Sequence, residues 1–141
     1  MKNLTIAIDG HASTGKSSIA KELAVKYGFI YINSGSMYRA VTLFAIENNL
    51  LKLIKTNINL FIDKLKEISI NFKFNDNSLI SEIYLNSRNI ENEIGGMHVS
   101  KLVSEVAAIP EIRTEMVKIQ RTIYRGKGVV MDGRDLSLIH I

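Results

Sequence analysis

The residues with the most specific chemistry follow the pattern G-x-x-x-x-G-K-S at positions 10–17. Glycines in such a loop let backbone N–H groups converge on an anion, and the helix that follows adds partial positive charge at its N-terminus. In this pattern Lys16 reaches the β- and γ-phosphates of a nucleotide, and the Ser17 hydroxyl ligates Mg²⁺. The alternative is an ordinary glycine-rich turn, but a strand before residue 10 and a helix after Lys16 favour a phosphate-binding loop.

Two further polar clusters follow apolar runs that are typical of buried strands. Asp132 ends the run 129–131, and P-loop enzymes use such a carboxylate to help hold Mg²⁺; the alternative is a carboxylate at an Asp-Gly turn. Ser34 and Arg39 follow the apolar run 29–32. Their hydroxyl and guanidinium groups can hold a second phosphate through charge-assisted hydrogen bonds. The alternative there is a surface arginine on a helix that Ser34 or Ser36 caps.

The apolar periodicity predicts the elements that position these groups. Runs at 4–8, 29–32 and 129–131 predict strands of a parallel sheet that is buried on both faces. Residues 68–74 alternate between apolar and polar, as a strand with one solvated face does. The predicted fold class is therefore α/β, with a P-loop NTPase core, a parallel sheet that is incomplete beside the usual count of about five strands, and a small α+β insertion. The expected organisation is a first core part at 1–55, the insertion at 56–97, a second core part at 98–135 and a tail at 136–141.

Composition and charge restrict the class of protein. Of the 141 residues, 46% are hydrophobic and 23% charged, which excludes disordered and collagen-like chains. The sequence has no cysteine, so it has no disulfide, thiol nucleophile or cysteine-based zinc site. Basic residues between Arg113 and Asp135 indicate either a solvated helix face or a cleft for an anion; without a pattern of interleaved aromatic residues, nucleic acid is disfavoured. No apolar run reaches about 18 residues, so we expect a cytoplasmic protein without a membrane-spanning helix.

Four segments together resemble bacterial cytidylate kinase, namely residues 6–17, 34–39, 103–113 and 129–135. The resemblance extends over residues 4–135. It implies transfer of the γ-phosphoryl group of ATP to CMP or dCMP, giving CDP or dCDP, with Mg²⁺ as cofactor and with the insertion binding the nucleoside monophosphate (NMP). It also implies a monomer whose partners are these nucleotides, with neither nucleic acid nor a membrane. The alternatives are an inactive nucleotide-binding fragment and another P-loop small-molecule kinase.

The resemblance also assigns residues to each part of the site. The ATP phosphates are assigned to Gly10, His11, Ala12, Ser13, Thr14, Gly15, Lys16, Ser17 and Ser18. The catalytic cations are Lys16, Arg39 and Arg134, and the metal ligands are Ser17 and Asp132. The CMP or dCMP site comprises Ser34, Tyr38, Arg39, Ser104, Arg113, Arg134 and Asp135. Of these, Ser104, Arg113 and Asp135 would contact cytosine. The chemistry of cytosine supports the assignment of Asp135, because a carboxylate accepts a hydrogen bond from the exocyclic amine of cytosine. Uracil presents an acceptor at that position instead.

Three features depart from the pattern of that family. Asn33 stands where an aspartate is usual, which removes one carboxylate near the site. The sequence Ile-Gly-Gly-Met-His at 94–98 replaces a common Ile-Arg, so that arginine is missing. Residues 136–141 do not resemble the continuation of the family, which carries further strands and an arginine-bearing lid. We therefore expect a chain that is truncated at its C-terminus.

Overall fold

The structure, a computed structural model, describes residues 5–9, 16–78, 80–123 and 128–133. Its strands are β1 (Thr5–Asp9), β2 (Ile30–Asn33), β3 (Ile70–Asn75), β4 (Ile80–Leu85), β5 (Arg88–Asn89) and β6 (Val129–Gly133). Its α-helices are α1 (Lys16–Tyr27), α2 (Ser34–Glu47), α3 (Leu51–Thr56), α4 (Ile58–Leu65), α5 (Met97–Ser100), α6 (Val103–Ala107) and α7 (Pro110–Ile123), and a 3-10 helix spans Glu93–Gly95. Among the described residues, no helix is long and apolar enough to cross a membrane.

A three-stranded parallel sheet with the order β1-β6-β2 forms the base of the predicted site. The central strand is β6, in which Asp132 is the Cα partner of Ile8 in β1 and of Asn33 in β2. Because all three strands run in the same direction, their last residues, Asp9, Gly133 and Asn33, lie at the same edge of the sheet. The predicted α/β class and the three predicted parallel strands are confirmed.

Strand β6 is buried on both faces, as its unbroken apolar sequence predicts. Val129 and Met131 belong to a large hydrophobic cluster that includes Met37 of α2. Val130, between them, packs in a second cluster with Ala24 of α1. Helices α1 and α2 therefore cover opposite faces of the parallel sheet, and each brings its N-terminal end towards the edge where the strands finish.

A second sheet is antiparallel, with the order β3-β4-β5, and it follows α4 in the chain. The alternation predicted for residues 68–74 holds over the first four residues of β3, where Ile70 and Phe72 are buried and the residue after each of them is exposed. At Phe74 the prediction is wrong, because its side chain is 49% exposed beyond the part of the strand that the core covers. In β4, Ser81, Ile83 and Leu85 alternate in the same way and face the core. One face of this sheet is therefore covered by protein and the other meets solvent.

The two sheets are connected by packing and by a hydrogen bond. Tyr31 N in β2 donates to Ser81 Oγ in β4 at 3.2 Å, between two buried residues. Ile83 of β4 and Met131 of β6 lie in the same hydrophobic cluster. The segment predicted as an insertion at 56–97 thus shares an apolar core with the parallel sheet, and its limits as a domain stay a prediction.

Candidate functional site

The carboxyl edge of the parallel sheet adjoins the start of α1, the helix that follows the predicted phosphate-binding loop. Helix α1 begins at Lys16 and contacts β6 and β1, so Lys16, Ser17 and Ser18 form its first turn beside this edge. The remaining predicted loop residues, Gly10, His11, Ala12, Ser13, Thr14 and Gly15, lie outside the described residues. The strand, the helix start and their order along the chain are the context that the motif requires.

Asp132 lies next to the carboxyl end of the central strand, at the position that the sequence predicts. Its Cα partners on either side are Ile8 and Asn33, so it is placed between the ends of β1 and β2. The next predicted residues along the chain, Arg134 and Asp135, lie outside the described residues. Among the residues that the structure describes, no group of three or more histidine, aspartate or glutamate side chains could hold a metal ion.

Asn33 connects β2 directly to α2 and caps the helix. Its Oδ1 accepts from Ser36 N at 3.2 Å, and its Nδ2 donates to the Tyr31 hydroxyl at 3.4 Å. The expectation that Ser34 or Ser36 caps this helix is wrong, because the extended backbone of Asn33 (φ −99°, ψ 114°) already directs its side chain to the first free amide. A Cβ on Gly35 would lie 3.0 Å from Asn33 Oδ1, so glycine leaves room for the cap.

Ser34 and Arg39, the residues predicted to bind a second phosphate, lie in different surroundings on α2. Ser34 is only 4% exposed, at the first position of the helix. Arg39 is half-buried, and its Nη1 donates to the Ile94 carbonyl at 2.9 Å and to Ser100 Oγ at 3.0 Å. Arg39 is therefore fixed by the segment that precedes α6, which disagrees with the alternative of a freely solvated surface arginine. Tyr38, beside it, is also half-buried.

The segment that holds Arg39 is connected to the far end of α2 by a surface ion-pair network. Arg88 Nη2 lies 2.6 Å from Glu47 Oε1 at the end of α2, and its Nη1 lies 3.4 Å from Glu93 Oε1 in the 3-10 helix. The hydrogen bond with Glu47 is the main cause that raises the pKa of the Arg88 guanidinium above its ordinary value. All three side chains are exposed by a third or more, so the network contributes little to stability.

The predicted cytosine residues Ser104 and Arg113 lie on consecutive helices that extend the same region. Helix α2 contacts α6, which carries Ser104, and α6 contacts α7, which carries Arg113. Ser104 is exposed, whereas Arg113 is half-buried and lines a cavity of about 370 Å³. The other lining residues are Pro110, Thr114, Val117, Lys118 and Arg121.

The lining of that cavity helps to decide whether the basic residues between Arg113 and Asp135 form a solvated helix face or a cleft for an anion. Three of its lining residues are cationic, namely Arg113, Lys118 and Arg121, as a cleft for an anion would need. Lys118 is nevertheless 59% exposed and lies 3.8 Å from Glu115, as on an ordinary solvated helix face. Arg125 and Lys127 lie outside the described residues. The stretch therefore combines a basic cavity wall with a solvated face.

Sequence reasoning missed the residues that hold the site in place. The Ile94 carbonyl and Ser100 Oγ are 55 and 61 positions from Arg39, and no spacing rule connects them. In the sequence, Asn33 stands out as a missing carboxylate, although asparagine before a helix is itself a capping pattern. This capping pattern is the one indication in the sequence that Asn33 helps to hold the site in place.

The parallel sheet, the G-K-S helix start and the aspartate near the end of the central strand define a P-loop protein of the α/β class. A sequence model of the cytidylate kinase family matches residues 6–139. The chain belongs to the cytidylate kinase family. This match continues past Asp135 into the segment that was expected to be unlike the family.

Curated relatives agree with this assignment. The chain is 45% identical over 139 residues to a cytidylate kinase of Flavobacterium psychrophilum, a match that covers 99% of this chain and 62% of that protein. It is 46% identical over 137 residues to a cytidylate kinase of Cytophaga hutchinsonii, covering 97% of this chain and 57% of the relative. A cytidylate kinase of Bacteroides thetaiotaomicron is 45% identical over 137 residues, with 97% and 60% covered. The chain thus spans about three fifths of the length of these relatives.

Proposed function

We propose that this chain transfers the γ-phosphoryl group of ATP to CMP or dCMP, giving CDP or dCDP. Its family and the names of its relatives support this reaction. The structural observation that carries the proposal is the register of the parallel sheet. It places Asp132 between Ile8 and Asn33 at the edge where α1 and α2 both begin. Two phosphate groups could meet there, one at each helix start.

On the donor side, the loop at residues 10–15 and the first turn of α1 would bind the ATP phosphates through backbone amides and Lys16. Ser17 and Asp132 would hold a magnesium ion, because a hydroxyl and a carboxylate are hard oxygen ligands and α1, which carries Ser17, begins beside the edge of the sheet where Asp132 lies. When bound, Mg²⁺ would neutralise charge that develops on the phosphate oxygens. Lys16 would hold the same oxygens from the protein side.

On the acceptor side, Ser34, Tyr38 and Arg39 would bind the phosphate of CMP, and Ser104, Arg113 and Asp135 would bind its base. An oxygen of the CMP phosphate attacks the γ-phosphorus, and the bond to the bridging oxygen breaks to release ADP. No general base is needed, since a nucleotide phosphate has a second pKa of about 6 and is largely dianionic at neutral pH. The obstacle is the repulsion between two anions, which Lys16, Arg39 and Arg134 would offset.

We propose the segment 56–97 as the NMP-binding insertion between core parts at 1–55 and 98–135. Its antiparallel sheet is separate from the parallel sheet, which supports a unit of its own. Its helix α4 and its strands nevertheless pack in one cluster with α2, the helix that carries Ser34 and Arg39. The insertion would therefore support the acceptor site by packing against α2 rather than extend freely away from it.

A coupled assay of ADP release with CMP, dCMP, UMP and AMP tests the reaction. We expect turnover with CMP and dCMP that clearly exceeds turnover with UMP and AMP. A preference for UMP or AMP would contradict the cytosine assignment and favour another P-loop small-molecule kinase. Calorimetric binding of MgATP and CMP without any turnover would instead support an inactive nucleotide-binding fragment.

We also propose a cytoplasmic monomer. Light scattering can test its oligomeric state, and cell fractionation can test its location.

A further inference from the structure

Arg39 is oriented by two protein acceptors, the Ile94 carbonyl and Ser100 Oγ. We propose that Ser100 is a positioning residue, which sets the guanidinium of Arg39 for the phosphate of the acceptor nucleotide. This inference rests on the proposed function, because it takes Arg39 as the group that meets that phosphate. It adds a role for a residue that the motifs do not include.

The geometry of the guanidinium supports this role. Nη1 carries two N–H groups, and it donates to the Ile94 carbonyl at 2.9 Å and to Ser100 Oγ at 3.0 Å. Both bonds leave from the same nitrogen, so Nε and Nη2 together still present an edge with parallel N–H groups. Such an edge suits bidentate recognition of phosphate. Ser100 thus determines which edge of Arg39 faces the ligand.

The acceptors themselves are held by buried neighbours. Ile94 is buried through its own side chain, and Val99, which precedes Ser100, is fully buried. On the donor side, Met37 and Ala40 flank Arg39 on α2 and are fully buried as well. Because both ends of the contact are anchored in the core, much of the side-chain freedom of Arg39 is lost on folding rather than on binding, which favours affinity.

The hydroxyl of Ser100 can be removed without removing the local fold. The backbone of this residue is held separately, since Ser100 N donates to the Gly96 carbonyl at 3.0 Å. Ser100 is exposed, so water can replace its hydroxyl, although water does not fix the direction of the guanidinium. We therefore expect a loss in phosphate recognition with little change in stability.

Calorimetric titration of the chain with CMP and with cytidine separates phosphate recognition from base recognition. We expect Ser100→Ala to weaken CMP binding about threefold to tenfold and to leave cytidine binding unchanged. Ser100→Thr keeps a hydroxyl at this position and should retain the CMP affinity of the parent. The matched control is Ser69→Ala, because Ser69 is also exposed and its Oγ also accepts a side-chain hydrogen bond, from Asn71 Nδ2 at 3.0 Å. In turnover, Ser100→Ala should raise the KM for CMP and not the KM for ATP.

A double-mutant cycle with Arg39→Ala shows whether Ser100 acts through Arg39. In the Arg39→Ala background, Ser100→Ala should cause no further loss of CMP affinity. The proposal is overturned if Ser100→Ala has no effect, if the loss survives in that background, or if CMP and cytidine binding weaken equally.

A measurement on the free protein separates failure of this inference from failure of the proposed function. Nitrogen-15 NMR of the arginine side chains should show slow rotation of the Arg39 guanidinium in the parent and faster rotation in Ser100→Ala. Equal rotation in both would refute the positioning role and leave the proposed function intact. If rotation differs but the parent binds CMP no better than cytidine, the proposed phosphate site is refuted, and the role of Ser100 at that site with it.

Discussion

Replacing Asn33 with alanine removes the side-chain acceptor at the start of α2, and we expect the free energy of unfolding to fall by about 1 kcal/mol. The magnitude follows from the contacts of Asn33. Its Oδ1 accepts one neutral hydrogen bond, from Ser36 N at 3.2 Å, while its contact with the Tyr31 hydroxyl is long at 3.4 Å and adds little. Alanine tolerates φ −99° and ψ 114°, so no backbone strain is added. The loss corresponds to a decrease in Tm of about 3–5 °C.

Urea denaturation followed by far-UV circular dichroism measures this loss. Asn33→Asp keeps the acceptor oxygen, and we expect it to stay within about 0.5 kcal/mol of the parent. The matched control is Asn92→Ala, since Asn92 precedes the 3-10 helix without any side-chain capping bond. The reasoning is refuted if Asn33→Ala is as stable as Asn92→Ala, or if Asn33→Asp loses as much as Asn33→Ala.

Three further changes test other parts of the site and fold. Lys16→Ala should lower kcat by about a hundredfold to a thousandfold with an unchanged Tm, and an unchanged kcat would contradict its role. Asp135→Asn should reduce the ratio of kcat/KM for CMP over UMP, whereas an equal fall for both substrates would indicate a merely structural aspartate. Gly128→Ala would place a Cβ 2.4 Å from the Phe29 ring and should cost about 1–3 kcal/mol in urea denaturation; Gly95→Ala, with nothing within 4 Å of its Cβ, is the control.

The parts of the fold that could be predicted are those where burial imposes a hydrophobic pattern on the sequence. The run 129–131 is apolar without interruption because both faces of β6 are covered. Residues 70–73 alternate between buried and exposed because only one face of β3 is covered. Helix α3 could not be predicted because none of its residues is buried and no side chain caps its start. Strand β5 has only two residues, too few for any periodicity.

The candidate site divides in the same way. The start of α1 at Lys16, the place of Asp132 in β6 and the start of α2 could be predicted because each depends on residues that are close in sequence. The acceptors of Arg39 could not, because they depend on how the segment before α6 returns to α2. Only the tertiary structure brings Ser100 within 3.0 Å of a guanidinium that lies 61 positions earlier.

Four polar residues of the candidate site share one structural feature, which limits how far their backbone can move. Each of them adjoins a side chain that is fully excluded from water. These apolar neighbours are Ile32 before Asn33, Ala40 after Arg39, Val99 before Ser100 and Met131 before Asp132, each 0% exposed. A core at crystal-like density resists displacement of such anchors, so the adjacent backbone has little freedom. In the proposed reaction a fixed Arg39 would cost no reorganisation when two phosphates approach, so the apolar residue beside each polar one would contribute to the site.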